Sequence, residues 1–151
     1  MERKIKNVLM GIGNELKGDD GIGNIIARQF KHRDWKSLAC ETTPENFAAI
    51  VKRERPEILV IVDAAEMGLP AGEFRMLPKE KLNSIAFGTH AMPLHFLVSH
   101  LKKYAGKILF IAVQPGKMQF GEKISADVKK SKKKLIGILK KKNWRAIKAL
   151  E

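Results

Sequence analysis

Apolar residues fall into short runs separated by polar, glycine-rich breaks. Val8-Leu9-Met10-Gly11-Ile12 is flanked by polar residues and ended by Gly13-Asn14, which reads as a buried strand followed by a turn. Glu15-Leu16-Lys17-Gly18-Asp19-Asp20-Gly21 is a Gly/Asp-rich loop. Ile22, Ile25, Ile26 and Phe30 then recur at helical spacing, so a helix is expected to begin near Asp20 or Gly21. Leu38-Ala39-Cys40-Glu41-Thr42 reads as a second strand. Pro44-Glu45-Asn46 opens a helix carrying Phe47, Ile50 and Val51, and Pro56 stops it. Ile58-Leu59-Val60-Ile61-Val62 is rich in β-branched residues without alternation, the mark of a strand buried on both faces; it is expected to end in Asp63.

The second half continues the alternation. Ala71 to Leu77 reads as an edge strand bounded by Pro70 and Pro78. Gly88-Thr89-His90-Ala91-Met92-Pro93 is a loop into a helix striped by Leu94, Leu97, Val98, Leu101 and Tyr104. Ile108 to Val113 is a further buried strand, ended by Gln114-Pro115-Gly116. A last helix is expected from about Ser125 or Asp127, with Val128, Leu135, Ile138 and Leu139 on one face and lysines on the other. Strands alternating with helices imply crossover units and a mainly parallel, layered α/β sheet. No internal repeat or linker divides the 151 residues, so one α/β domain over 1–151 is expected, with a Lys-rich helix and tail from about 125.

Composition changes this picture in three ways. At 44% hydrophobic and 30% charged residues the chain is ordinary globular material, not disordered or low in complexity. Cys40 is the only cysteine, which excludes an internal disulfide framework and multi-cysteine metal sites and fits a reducing cytoplasm. No stretch reaches the about 18–20 apolar residues of a membrane helix. The net charge of +13 raises the question of nucleic acid, but nine lysines and Arg145 between Lys129 and Lys148 account for all but +3 of it. Such a run is most often a solvated helix face. Trp144 and Phe120 are the only nearby stacking aromatics, so the pattern argues against nucleic acid as the partner.

In open α/β sheets, ligands bind beyond the carboxyl ends of the strands. Three polar residues are expected at that edge: Asp20 after the first strand, Asp63 at the end of the central strand, and His90 in a loop entering a helix. Two carboxylates and one imidazole form a hard-to-borderline donor set that suits zinc or nickel, and the residue types alone do not choose. Each residue also has an ordinary use. Asp20 or Asp19 would cap a helix, Asp63 would make a turn, and His90 would be a loop histidine. His32, His95 and His100 read as surface residues. Gly11-Ile12-Gly13-Asn14 is not a complete dinucleotide fingerprint, no P-loop or G-x-S-x-G elbow is present, and Cys40 reads as a small core residue.

Five blocks in order resemble the hydrogenase maturation endopeptidases. They are Gly13 to Gly23, Pro44-Glu45-Asn46, Ile61 to Gly68 with Pro70 to Glu73, Thr89-His90-Ala91-Met92-Pro93-Leu94, and Gln114-Pro115. Order and spacing agree from about Lys6 to Val128, nearest to the branch serving [NiFe] hydrogenases of the hydrogenase-3 type. The resemblance implies a three-layer α/β/α sandwich with a mainly parallel sheet of about five strands. It also implies a nickel-dependent endopeptidase that removes the C-terminal extension of a [NiFe] hydrogenase large-subunit precursor after nickel insertion. Asp20, Asp63 and His90 match the family's metal-binding positions. The nickel is expected to be presented by the substrate, with another divalent cation as a stand-in in vitro, and the protein to act as a monomer. The Lys-rich end departs from the family pattern. Two other readings compete: a non-catalytic basic α/β module acting on RNA or in assembly, and a metallohydrolase of a small substrate.

Overall fold

A computed structural model describes residues 5–87 and 93–151. The apolar runs pair into one sheet. β1 (Asn7–Gly11), β2 (Trp35–Ala39), β3 (Ile58–Glu66), β4 (Phe74–Leu77) and β6 (Lys107–Val113) lie in the order β2-β1-β3-β6-β4, and the two-residue β5 (Ala86–Phe87) pairs off this path with the end of β3. β1 pairs in parallel with β2 and β3, and β3 with β6. β4 and β5 are antiparallel to their partners. The mainly parallel sheet of about five strands is therefore as expected, and the antiparallel strand β4 closes one edge.

β3 is apolar throughout because both of its faces are covered. Leu59 and Ile61 join Val8 and Met10 in a core closed by Val51 of α2 (Ala48–Glu54) and by Leu94, Leu97 and Leu101 of α3 (Leu94–Leu101). Val60 and Val62 point to the other face with Leu9, as strand geometry requires of alternate residues. There they meet Ile22 and Ile26 of α1 (Ile22–Gln29) and Val128, Leu135 and Leu139 of α4 (Ala126–Lys141). Each such side chain contributes roughly 1.5–3 kcal/mol by leaving water. This is the helix–sheet–helix layering the sequence implies.

Several boundaries differ, each for a local reason. The second strand is Trp35–Ala39, not Leu38–Thr42. It is the sheet's other edge and half-exposed, so charged and small residues interrupt its pattern, and its register is set by β1, with Asn7 opposite Trp35. Cys40 follows the strand and is buried; burial, with the Glu45 carboxylate adding to it, pushes its thiol up to about 12, which makes it an inert core residue. α1 is preceded by a 3-10 segment, Glu15–Gly21, kinked at Lys17 and Gly18. Pro44 opens a 3-10 turn before α2, and Arg55 ends α2 in the left-handed conformation ahead of Pro56.

The most consequential difference is at Asp63. β3 does not stop there but runs to Glu66, because β6 continues the pairing to Val113 opposite Ala64 and β5 takes over beyond it. β1, however, ends at Gly11 opposite Val62. Asp63 is thus inside its own strand yet one residue past the end of the neighbouring one, which still places it at the carboxyl edge of the parallel sheet.

α4 presents Lys129, Lys130, Lys133, Lys134, Lys140 and Lys141 to solvent, the solvated face expected of it. Trp144 is not available as a stacking platform on that face: it packs edge-on to Trp35. The last residues return along the open edge of β4, where the Met76 N–H donates to Lys148 O and the Leu150 N–H to Met76 O. No helix among the described residues is long and apolar enough to cross a membrane.

Candidate active site

The carboxyl edge is built by unusually close backbone packing. A Cβ on Gly23, in the first turn of α1, would lie 2.2 Å from Val62 O and 2.4 Å from Ile12 O. A Cβ on Gly13, at φ +148°, would lie 2.0 Å from Asp20 O. Only glycine lets the start of α1 sit directly on the ends of β1 and β3. The Ile12 N–H donates to Val62 O at 2.9 Å, so the residue after β1 stays tied to β3. These contacts bring the loop carrying Asp20 against the strand carrying Asp63, although 43 positions separate them in the chain.

Both carboxylates are buried, Asp20 at 2% exposure and Asp63 at 0%. Asp63 Oδ1 accepts the Ala64 N–H at 2.8 Å. Asp20 Oδ2 accepts the Asn14 N–H at 3.0 Å, whereas its Oδ1, equally buried, has no hydrogen-bond partner among the described residues. Burying such an atom costs about 1–3 kcal/mol, and in native proteins an unsatisfied buried oxygen marks a functional group or a bound species. His90, the third residue of the expected set, lies outside the described residues. No group of three metal-ligating side chains occurs among the described residues.

The helix-cap reading fails for both neighbouring aspartates. Gly21 is the N-cap of α1 and no side chain caps it. Asp20 bonds upstream, to Asn14. Asp19 reaches across the edge to the segment after β6. Its Oδ2 accepts from the N–H groups of Gly116 (2.8 Å) and Lys117 (3.0 Å) and from Ser125 Oγ (2.8 Å), and its Oδ1 from the Ser125 N–H (2.6 Å). Asp19 is therefore committed to holding structure. Asn14 caps the 3-10 segment instead, accepting the Leu16 N–H.

Two further residues shape the edge without having been singled out as chemistry. Gln114, 3% exposed, accepts the Met67 N–H at 2.7 Å and donates to Glu66 Oε2 at 2.8 Å, fixing the turn after β3. The Gln114-Pro115 block at the end of a buried strand is the signal that pointed to it. Glu15 receives Asn24 and the Arg28 guanidinium; the Arg28 hydrogen bond holds its carboxyl below the usual carboxylate range. Of the other histidines, His100 is exposed, whereas His32 and His95 are half-buried rather than fully on the surface. His32 Nδ1 accepts the Asp34 N–H.

The comparisons with known proteins agree with this architecture. The sequence profile described as hydrogenase maturation protease matches residues 23–142. The hydrogenase 3 maturation protease of Escherichia coli K12 is 35% identical over 113 residues, covering 72% of each chain. A crystal structure of the hydrogenase 3 maturation protease superposes with a TM-score of 0.86 at 28% identity over 97% of both chains. The [NiFe] hydrogenase maturation protease HycI from Thermococcus kodakarensis KOD1 gives 0.80 at 30% identity over 91% of both. A profile match over most of the length, joined to a shared fold, establishes that the chain belongs to the hydrogenase maturation protease family.

Proposed function

We propose that this protein is a nickel-dependent endopeptidase that removes the C-terminal extension of a [NiFe] hydrogenase large-subunit precursor after nickel insertion. The observation that carries the reading is the pair of buried carboxylates at one sheet edge, with Asp20 Oδ1 lacking a partner among the described residues. An oxygen of that kind is stabilised by a cation, a proton or a bound water, and a cation or proton there would put it to chemical use.

In this reading nickel belongs to the substrate, and Asp20, Asp63 and His90 complete its coordination when the precursor docks. Two carboxylates and an imidazole suit a borderline divalent ion. Bound there, the ion supplies Lewis-acid polarisation and a template for the scissile peptide. The chain's own groups do the rest. The Asn14 N–H fixes the Asp20 carboxylate through Oδ2, leaving Oδ1 to meet the ion or accept a proton from the attacking water. The Ala64 N–H fixes Asp63 in the same way. The bonds to nickel exist only after insertion, so a precursor still lacking it is bound less tightly and is not cut.

Incubating the purified protein with a nickel-loaded large-subunit precursor should release one short C-terminal peptide, read by intact mass. A precursor that keeps its full mass under those conditions contradicts the proposal.

A further inference from the structure

Three of the large hydrophobic side chains that remain exposed lie together at the rim of the candidate site. Leu16 is 69% exposed, Met118 40% and Phe120 73%. Leu16 belongs to the loop before α1, and the other two to the segment after β6. Two backbone hydrogen bonds join the segments: the Gly121 N–H donates to Leu16 O (2.9 Å) and the Asp19 N–H to Lys117 O (2.7 Å). Gly18, at φ +56°, allows the approach, since a Cβ there would lie 2.5 Å from Lys117 O. Asp19 clamps the same segment with its four accepted hydrogen bonds. The patch is thus ordered before any partner arrives, which lowers the entropy cost of covering it.

Most of the charges around it are positive. Lys17 Nζ lies 5.5 Å from the centre of the Phe120 ring. Lys117 and Lys123 are exposed alongside, and none of the three forms an ion pair among the described residues. Glu122 is the only acid in the segment from Gly116 to Ser125. An aromatic and two aliphatic side chains inside a cationic rim fit a partner surface with the opposite arrangement.

We infer that Leu16, Met118 and Phe120, rimmed by Lys17, Lys117 and Lys123, form the docking surface for the folded body of the substrate protein, through an apolar patch edged by acidic residues. The inference rests on the proposed precursor as substrate. Its physical basis is continuity: Leu16 and Asp20 belong to one short segment, which puts the patch next to the place where the scissile bond would lie. Binding energy from here would hold the cleavable tail at the sheet edge.

The test compares Leu16→Glu, Phe120→Glu and Lys117→Glu with the unmodified protein on nickel-loaded precursor, with Lys107→Glu on the opposite edge as control. All four positions are exposed, and thermal melting checks that the variants stay folded. Each patch variant should raise KM and the precursor dissociation constant about tenfold or more, a loss recovered at saturating precursor, while the control matches the unmodified protein. Lys117→Glu should also flatten the salt dependence of binding. Unchanged KM and affinity in all three patch variants overturn the inference while leaving the proteolytic reading intact. If the unmodified protein binds the precursor without cutting it, the proteolytic reading fails and the affinity ratios still decide the docking surface. Two outcomes assign the patch elsewhere and overturn it: self-association in sedimentation that Phe120→Glu abolishes, or binding to anionic lipid vesicles lost in the patch variants with precursor affinity unchanged.

Discussion

Asp63→Asn should abolish precursor cleavage while the protein stays folded. The substitution keeps the shape of the side chain and an oxygen that accepts the Ala64 N–H, so the local hydrogen bond survives. What it removes is the negative charge, at a position with no exposure to water that could replace it. If Asp63 helps to hold a divalent ion on the scissile peptide, losing that charge costs several kcal/mol of transition-state stabilisation. About 4 kcal/mol corresponds to roughly a thousandfold in rate. His90→Ala should be comparably inactive on the strength of its matching motif. Single-turnover cleavage followed on gels measures both. Full activity in either variant removes that residue from the site; full activity in both removes the site.

The largest effect on stability is expected at Asp19. Asp19→Ala removes the acceptor from three backbone N–H groups and one hydroxyl, on a buried carboxylate that joins the loop after β1 to the segments before α4. Hydrogen bonds to a charged group contribute about 1.5–3 kcal/mol each, but bonds sharing one carboxylate are not additive. A loss of about 3–5 kcal/mol is expected, comparable to breaking one partner of a buried pair. For a chain of this size that lowers Tm by about 10 °C. Asp19→Asn, which keeps one acceptor oxygen, should fall between. A loss under about 1 kcal/mol in calorimetry would show that Gly116, Lys117 and Ser125 hold their positions without Asp19.

These neighbouring residues also mark the limit of what the sequence discloses. Ile58 to Val62 announced a doubly buried strand because an apolar run has no other economical use in an α/β chain. The rim glycines marked the loop that lies on that strand. Asp19 and Asp20 were interchangeable in the sequence, since what separates them is the partner each finds, and Asp19's partners lie 97 to 106 positions away. The extension of β3 past Asp63 depends on pairing with β5 and β6, which no local pattern encodes. The early start of β2 has the same origin, because an edge strand is placed by its neighbour's register more than by its own alternation. Leu16, Met118 and Phe120 read as scattered apolar residues until two backbone hydrogen bonds bring their segments together. The Lys-rich stretch was the reverse case: its composition invited a nucleic-acid role, but its apolar stripe already assigned it to a helix covering the sheet.

In the proposed mechanism, recognition and cleavage both depend on nickel delivered by the substrate to Asp20, Asp63 and His90. The most direct test of that dependence is side-by-side incubation of the protein with nickel-loaded and nickel-free forms of one precursor, with release of the C-terminal peptide quantified by mass spectrometry. The loaded form should be processed completely and the empty form not at all over the same interval. Equal processing of the two would contradict the mechanism.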